Sequence, residues 1–375
     1  MSTVGKAGLE DVVVSTSEIC FIDGREGRLL YRGFDVDELV EKSTFEEVVF
    51  LLWQGHLPSK KELADHVKAL ATSRKIPPKV IAMLRMLPKK TPPMEVLRTG
   101  VSALSSFDPD ASDNSHEASV RKAVRLTAQM PTLVAAWERI RHGKAPVGPN
   151  PRLTLAANFL YMMTGKKPTE LAAKTFDTAL ILHADHEFNA STFAARVTAA
   201  TLSDMHSAVV SGIGALKGPL HGGANEQVML MVDKIKNPLD AESFVRKNLA
   251  DKGFRIMGFG HRVYRVEDPR AKHLRRLAFE LGKQAGDTTK AEMINTIARV
   301  VTQEKKIFPN VDLFSGAAYR SMGIATDQFT PIFAMSRVAG WAAHVLEQHA
   351  NNRLIRPRSE YTGATRATYT PIDKR

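Results

Sequence analysis

The 375-residue chain is poor in the features that announce many protein classes. It has a single cysteine, Cys20, which excludes an intramolecular disulfide framework and fits a reducing compartment. Aromatics make up only 7% of the residues, although 43% are hydrophobic. No apolar run approaches 18 residues without a charge, so no membrane span is expected. Residues 1–6 (Met-Ser-Thr-Val-Gly-Lys) carry no apolar stretch of the kind a secretory signal needs. There is no P-loop, no pair of zinc-spaced cysteines, no internal repeat and no low-complexity tract. Gly212-Ile213-Gly214 lacks the spacing and the preceding strand of a dinucleotide fingerprint. The expectation is a cytoplasmic protein without membrane contact.

What is abundant is Ala, Leu, Met, Lys, Arg and Glu, a composition that favours helix. The formal charge is +12, from 52 basic and 40 acidic residues. The basic residues are spread along the chain without a block or aromatic interleaving, which argues against nucleic acid and leaves an anionic small molecule open.

Punctuation divides the chain. Ile19-Cys20-Phe21-Ile22 and Leu29-Leu30-Tyr31 flank Asp23-Gly24-Arg25-Glu26-Gly27, which reads as a short β-hairpin. Helices follow. Ser43-Thr44-Phe45-Glu46 reads as a capping box with Gly55 as the stop, and Ser59 to Glu62 opens the next helix. Pro77-Pro78, Pro88 and Pro92-Pro93 punctuate others, while 108–117 reads as a polar loop and 144–151 as a break. Residues 176–202 read as one long helix and 205–216 as a buried one rich in small residues. Further helices are expected over 240–254, 268–283 and 328–348, before an extended basic tail. The fold class is mainly α with a minor N-terminal β-hairpin.

Four segments carry chemistry. In Leu182-His183-Ala184-Asp185-His186-Glu187, helical spacing puts His183, His186 and Glu187 on one face. A metal-dependent hydrolase is one reading, but the order is neither H-E-x-x-H nor H-x-x-E-H. A neutral histidine that donates to a substrate is another, and a pair of satisfied core histidines is the reading the residues alone favour. Gly218-Pro219-Leu220-His221-Gly222-Gly223 reads as a sharp turn that presents a donor. Met257-Gly258-Phe259-Gly260-His261-Arg262-Val263-Tyr264-Arg265, followed by Asp268-Pro269-Arg270, concentrates a histidine and arginine forks suited to carboxylates or phosphates. In Pro309-Asn310-Val311-Asp312, apolar flanks would desolvate Asp312 and raise its pKa, and the same residue could cap the next helix. Arg337, inside an apolar helix, needs an anionic partner if buried. Arg356 lies in the tail. Two histidines and a carboxylate on element ends suit the removal of a carbon-bound proton and the stabilisation of the resulting anion.

The chain resembles the citrate synthase family over nearly its whole length. The most specific stretches are 217–226 (Lys-Gly-Pro-Leu-His-Gly-Gly-Ala-Asn-Glu), 257–264, Asp268-Pro269-Arg270, Pro309-Asn310-Val311-Asp312 and Phe329-Thr330-Pro331-Ile332-Phe333. The resemblance implies an almost all-helical fold, with a large domain from 1–222 and 327–375 and a small inserted domain over 223–326. It implies condensation of acetyl-CoA with oxaloacetate, and hydrolysis of the citryl thioester. Asp312 would remove the methyl proton, His221 would bond the thioester oxygen, and His261 would polarise the keto group. His186, Arg270 and Arg337 would hold the carboxylates, with Arg356 reaching in from the partner of a homodimer. Arg265 and Lys305 would meet CoA phosphates. Neither a metal nor a cofactor beyond the coenzyme A thioester is implied. A 2-methylcitrate synthase, which uses propionyl-CoA, is the near rival. Residues 187–193 and 341–344 resemble that branch, whereas Gly260-His261-Arg262-Val263-Tyr264 resembles the citrate branch.

Overall fold

A computed structural model describes residues 7–9, 12–251 and 256–375. Residues 1–6, considered above for a signal, lie outside it.

Strands β1 (Cys20–Asp23) and β2 (Arg28–Tyr31) form the expected hairpin, Cys20 opposite Tyr31 and Asp23 opposite Arg28. A two-residue β3 (Phe34–Asp35) completes a sheet in the order β1-β2-β3. It is too short to show alternation in the sequence.

Helices α1 (Val36–Lys42) and α2 (Phe45–Gln54) follow. The capping box expected on Ser43 and Glu46 is displaced by one residue. Thr44 is the cap and accepts from Glu47 N, while Glu46 turns inward to accept from Leu155 N at 2.6 Å. Helix α3 (Lys60–Thr72) has the complete box on Ser59 and Glu62. Helices α4 (Pro78–Met86) and α5 (Pro93–Ser105) each start on a proline, whose missing N–H costs nothing in the first turn. Then come α6 (His116–Arg141), α7 (Leu155–Thr164) and α8 (Glu170–His183).

The continuous helix expected over 176–202 is interrupted. Helix α8 ends at His183, and α9 (Ala190–Ala199) begins after a six-residue break. Polar side chains make the break. The Asp185 carboxylate accepts from Glu187 N at 3.2 Å, and Asn189 caps α9 by accepting from Thr192 N at 3.1 Å. His186 therefore does not share a helical face with His183.

Helix α10 (Met205–Leu216) is followed by α11 (Ala224–Val232), α12 (Ala241–Leu249), α13 (Pro269–Ala285), α14 (Thr289–Lys305), α15 (Val311–Ser321) and α16 (Phe329–Ala350). Phe254, the expected end of the helix from 240, lies outside the described residues. Helix α16 runs through the interior, buried along almost all its length, against α2, α6, α8, α9 and α10. Each large apolar side chain so buried contributes about 1.5–3 kcal/mol. Helices α11 to α15 pack mainly on one another, with α13 also reaching α8. Residues 351–375 are irregular apart from a short turn at Ile372–Lys374. Among the described residues, no helix is long and apolar enough to cross a membrane.

Candidate active site

The break between α8 and α9 places His186 inside the protein. Its walls come from distant segments. The Tyr31 hydroxyl donates to Asp185 O at 2.9 Å and accepts from Asp185 N at 3.3 Å. His186 Nε2 lies 3.3 Å from the Tyr264 hydroxyl, and its ring is 4.9 Å from that of His261. Burial, then the charge of Arg270, holds its pKa well below the usual imidazole value, so the ring is neutral. His183 donates from Nδ1 to Ala179 O at 2.7 Å, and burial lowers its pKa to about 3.

His221 occupies the turn between α10 and α11, closed by its own N–H to Gly218 O at 2.9 Å and by Gly222 N to Leu216 O at 3.0 Å. Ser191 N–H donates to Nε2 at 3.3 Å, with the Ser191 hydroxyl at 2.9 Å. Asn189 Oδ1 is 3.2 Å from the same nitrogen, but it already accepts from Ser191 Oγ and Thr192 N. Nε2 is thus the acceptor, and the ring proton sits on Nδ1. Burial lowers this pKa to about 4.

His261 has the opposite tautomer. Its Nδ1 accepts from Val263 N at 3.0 Å and Tyr264 N at 3.2 Å, which leaves the proton on Nε2. Burial again, with Arg270 adding to it, brings the pKa to about 4. Backbone bonds zip this segment to the one that carries Asp312. Gly260 N donates to Phe308 O at 2.9 Å and Asn310 N to Gly258 O at 3.0 Å. Gly258 adopts φ 84°, and a Cβ there would lie 2.9 Å from a Leu313 methyl group.

Asp312 is the second residue of α15. The cap is Asn310, whose Oδ1 accepts from Asp312 N at 3.1 Å, so the Asp312 carboxylate does not serve as the cap. Its Oδ1 is buried without a hydrogen-bond partner among the described residues. Burial outweighs the opposing charge of Arg270 and raises its pKa to about 7.

Two buried guanidinium groups complete the site. Arg270 is clamped by Asp268, Nε to Oδ1 at 2.9 Å and Nη2 to Oδ2 at 2.7 Å. Burial alone would lower its pKa, but the Asp268 carboxylate more than reverses that. Asp268 also caps α13 and accepts from Val311 N at 3.2 Å, which ties Arg270 to the start of α15. Arg337 donates from Nε to His183 O at 2.7 Å and stacks on Phe333, yet its Nη2 is buried without a partner. It makes no ion pair among the described residues. Burial lowers its pKa to about 10, so it remains a cation. Phe333 also faces the rings of His183 and His221 at 4.7 and 6.3 Å.

His186, His221, His261, Arg270, Asp312 and Arg337 are thus linked by direct contacts, shared backbone bonds and mutual electrostatic influence. Arg265 and Lys305 are exposed and make no ion pair among the described residues. Arg356 is exposed on the irregular tail and bonds to none of the site residues. The sequence alone did not single out Ser191, Tyr264, Asp268 and Phe333 for the work they do here. A signal existed for two of them. Asp268 stands at the N-cap position of its helix, and Phe333 is one helical turn before Arg337.

The pattern described as "Citrate synthase, C-terminal domain" matches residues 8–358. Citrate synthase 2 of Bacillus subtilis is 48% identical, with 98% of each chain covered. Citrate synthase of Haloferax volcanii is 48% identical over 100% of both chains. A 2-methylcitrate synthase of Mycobacterium tuberculosis is 43% identical, covering 96% of this chain and 90% of its own. Citrate synthase from Pyrobaculum aerophilum superposes with a TM-score of 0.92 at 42% identity, covering 98% of this chain and 95% of its own. The Thermoplasma acidophilum citrate synthase, solved as a ternary complex with carboxymethyl coenzyme A and oxaloacetate, gives 0.92 at 34% identity over 98% of each chain. Likeness of this extent, in sequence and in structure, makes the chain a member of the citrate synthase family.

Proposed function

We propose that the protein joins acetyl-CoA to oxaloacetate and hydrolyses the citryl thioester to citrate and CoA. One observation carries this reading. A desolvated carboxyl of raised pKa, Asp312, is grouped with two neutral imidazoles that offer opposite N–H donors and with a buried arginine that makes no ion pair among the described residues.

Asp312 takes a proton from the methyl carbon of the thioester, while His221 Nδ1–H bonds the thioester oxygen as charge develops there. Stabilising that oxygen is needed because such a carbon acid is far too weak for a carboxylate alone. The enol carbon attacks the keto carbon of oxaloacetate, forming the C–C bond, and His261 Nε2–H supplies the proton to the keto oxygen. Water then cleaves the thioester and releases the thiol. His186, Arg270 and Arg337 hold the substrate carboxylates. Arg265 and Lys305 meet the CoA phosphates, in keeping with the chain's +12 charge. No metal or cofactor beyond the substrates takes part, and the protein works in the cytoplasm.

The small domain, 223–326, closes on the large one, 1–222 with 327–375, and excludes water until the C–C bond has formed. Two copies form a homodimer in which Arg356 of each completes the other's site. Arg356→Ala is then expected to raise KM for oxaloacetate by roughly ten- to a hundredfold, the loss of one charge-assisted contact. Mixed dimers with Asp312→Ala subunits should regain activity, because one site then has its own Asp312 and a donated Arg356. Mixed dimers as inactive as the parents would refute the shared site.

The relative named 2-methylcitrate synthase supports propionyl-CoA as the alternative acyl donor. Release of free CoA with oxaloacetate, compared for acetyl- and propionyl-CoA, separates the two. Expected is a preference for acetyl-CoA of roughly tenfold in kcat/KM, since one methylene is worth about 1–3 kcal/mol. A propionyl preference reverses the assignment, and no release from either thioester overturns the function.

A further inference from the structure

The His261 tautomer depends on the Val263 and Tyr264 N–H groups. Tyr264 N–H belongs to the same peptide unit as the Val263 carbonyl, and that unit lies directly against the β1–β2 turn. A Cβ on Gly24 would come within 2.3 Å of Val263 O and 2.8 Å of Val263 C, distances real side chains do not reach. Gly24 O in turn accepts from Arg265 N at 2.7 Å. The turn therefore grips the backbone on both sides of Tyr264. Three residues on, a Cβ at Gly27 would lie 2.7 Å from Val266 Cγ2.

The grip is anchored. Asp23 Oδ1 accepts from Arg25 N at 2.8 Å and Glu26 N at 2.9 Å, which stiffens the turn. At its other end the hairpin carries Tyr31, which bonds the segment before His186. One two-stranded element thus touches the supports of both His186 and His261. Gly24 is not among the glycines with positive φ, so space rather than backbone conformation requires glycine there.

We propose that the β1–β2 turn is a positioning device for His261. Gly24 leaves room for the Val263–Tyr264 peptide and ties down Arg265, and so holds Nδ1 as acceptor and Nε2 as donor toward the keto oxygen. Gly24 touches neither substrate. The inference rests on the condensation proposed above.

The test is Gly24→Ala in the full-length enzyme. Gly24 does not need a left-handed backbone, so the change adds only the contact with the Val263–Tyr264 peptide. Displacing a reacting group by an ångström costs about a hundredfold, so kcat is expected to fall roughly ten- to a hundredfold. Oxaloacetate affinity, read by calorimetry, should change much less. The infrared carbonyl stretch of bound oxaloacetate should move back toward its free value, a signature that general destabilisation would not produce. Wild-type kcat together with a wild-type stretch overturns the inference. Should Gly24→Ala fail to fold, Asp23→Ala decides, because it frees the Arg25 and Glu26 N–H groups that stiffen the turn without adding an atom beside the loop. A lowered kcat with the carbonyl stretch moved toward its free value supports the inference, and a wild-type kcat with a wild-type stretch refutes it. An inactive wild-type enzyme sinks the condensation and this inference together, whereas an active one indifferent to these changes sinks this inference alone.

Discussion

Asp312→Ala is expected to lower kcat about a thousandfold, the scale of a lost general base, and to leave oxaloacetate binding largely intact. The binding half follows from the contacts. Asp312 makes no ion pair with Arg270, which is held by Asp268, or with Arg337, so its removal leaves both guanidinium groups in place. The kinetic half follows from basicity. Burial carries the carboxyl from 3.8 to about 7, and the stronger base is the one able to compete for a carbon-bound proton. The group must be ionised to act, so kcat/KM should rise with pH through about 7 and fall tenfold per unit on the acid side. The three site histidines stay neutral across that range because their pKa values are held far below it. The same shift sets a stability signature. A carboxyl whose folded pKa is raised stabilises the fold fully below 3.8 and loses that contribution as pH rises through about 7. Asp312→Asn should therefore melt above the wild type at pH 8, with the gap closing toward pH 4. A kcat within tenfold of wild type in Asp312→Ala would remove this residue from the base role.

Much of this was legible because the informative signals are local. Ser59 with Glu62, and Pro78 and Pro93 at first helical positions, mark real helix starts. The three segments around His221, His261 and Asp312 stand out because their glycines and prolines break helical periodicity beside groups that can move protons. The misreadings involve long-range partners. Residues 184–189 contain neither Gly nor Pro, and nothing in them contradicts a continuous helix. The break is stabilised by a buried Asp185 and by Tyr31, which is 154 positions away. The reading of His183 and His186 as one helical face failed for that reason. Likewise, Thr44 displaces Ser43 as a cap because Glu46 has a better partner in Leu155 N, far along the chain. The tautomers of His221 and His261 are set by N–H groups of Ser191, Val263 and Tyr264, so the direction in which each ring donates is a tertiary property.

Arg337→Met should weaken oxaloacetate binding severely without lowering the melting temperature of the free protein. A buried partner in a charge pair costs about 2–5 kcal/mol to truncate, which is roughly thirtyfold to several-thousandfold in affinity. The free protein is a different case, because there Arg337 has no paired carboxylate, and one terminal nitrogen has no hydrogen-bond partner, among the described residues. Burying such a cation costs several kcal/mol, whereas its bond to the His183 carbonyl returns only about 1.5–3 kcal/mol. Desolvation wins, and an unbranched apolar side chain of similar length should leave the free fold as stable or more so. Oxaloacetate reverses the order. Ligand at a hundred times its wild-type Kd stabilises the wild type by about 2.7 kcal/mol, and the variant, whose Kd has risen roughly thirtyfold or more, gains about 0.9 kcal/mol at most. Thermal melts with and without oxaloacetate should thus show the variant at or above the wild type when free and below it when ligand is present. A variant that melts well below the wild type in both conditions, with the same ligand-induced rise, would show that the Arg337 charge serves the fold and that the anion is held elsewhere.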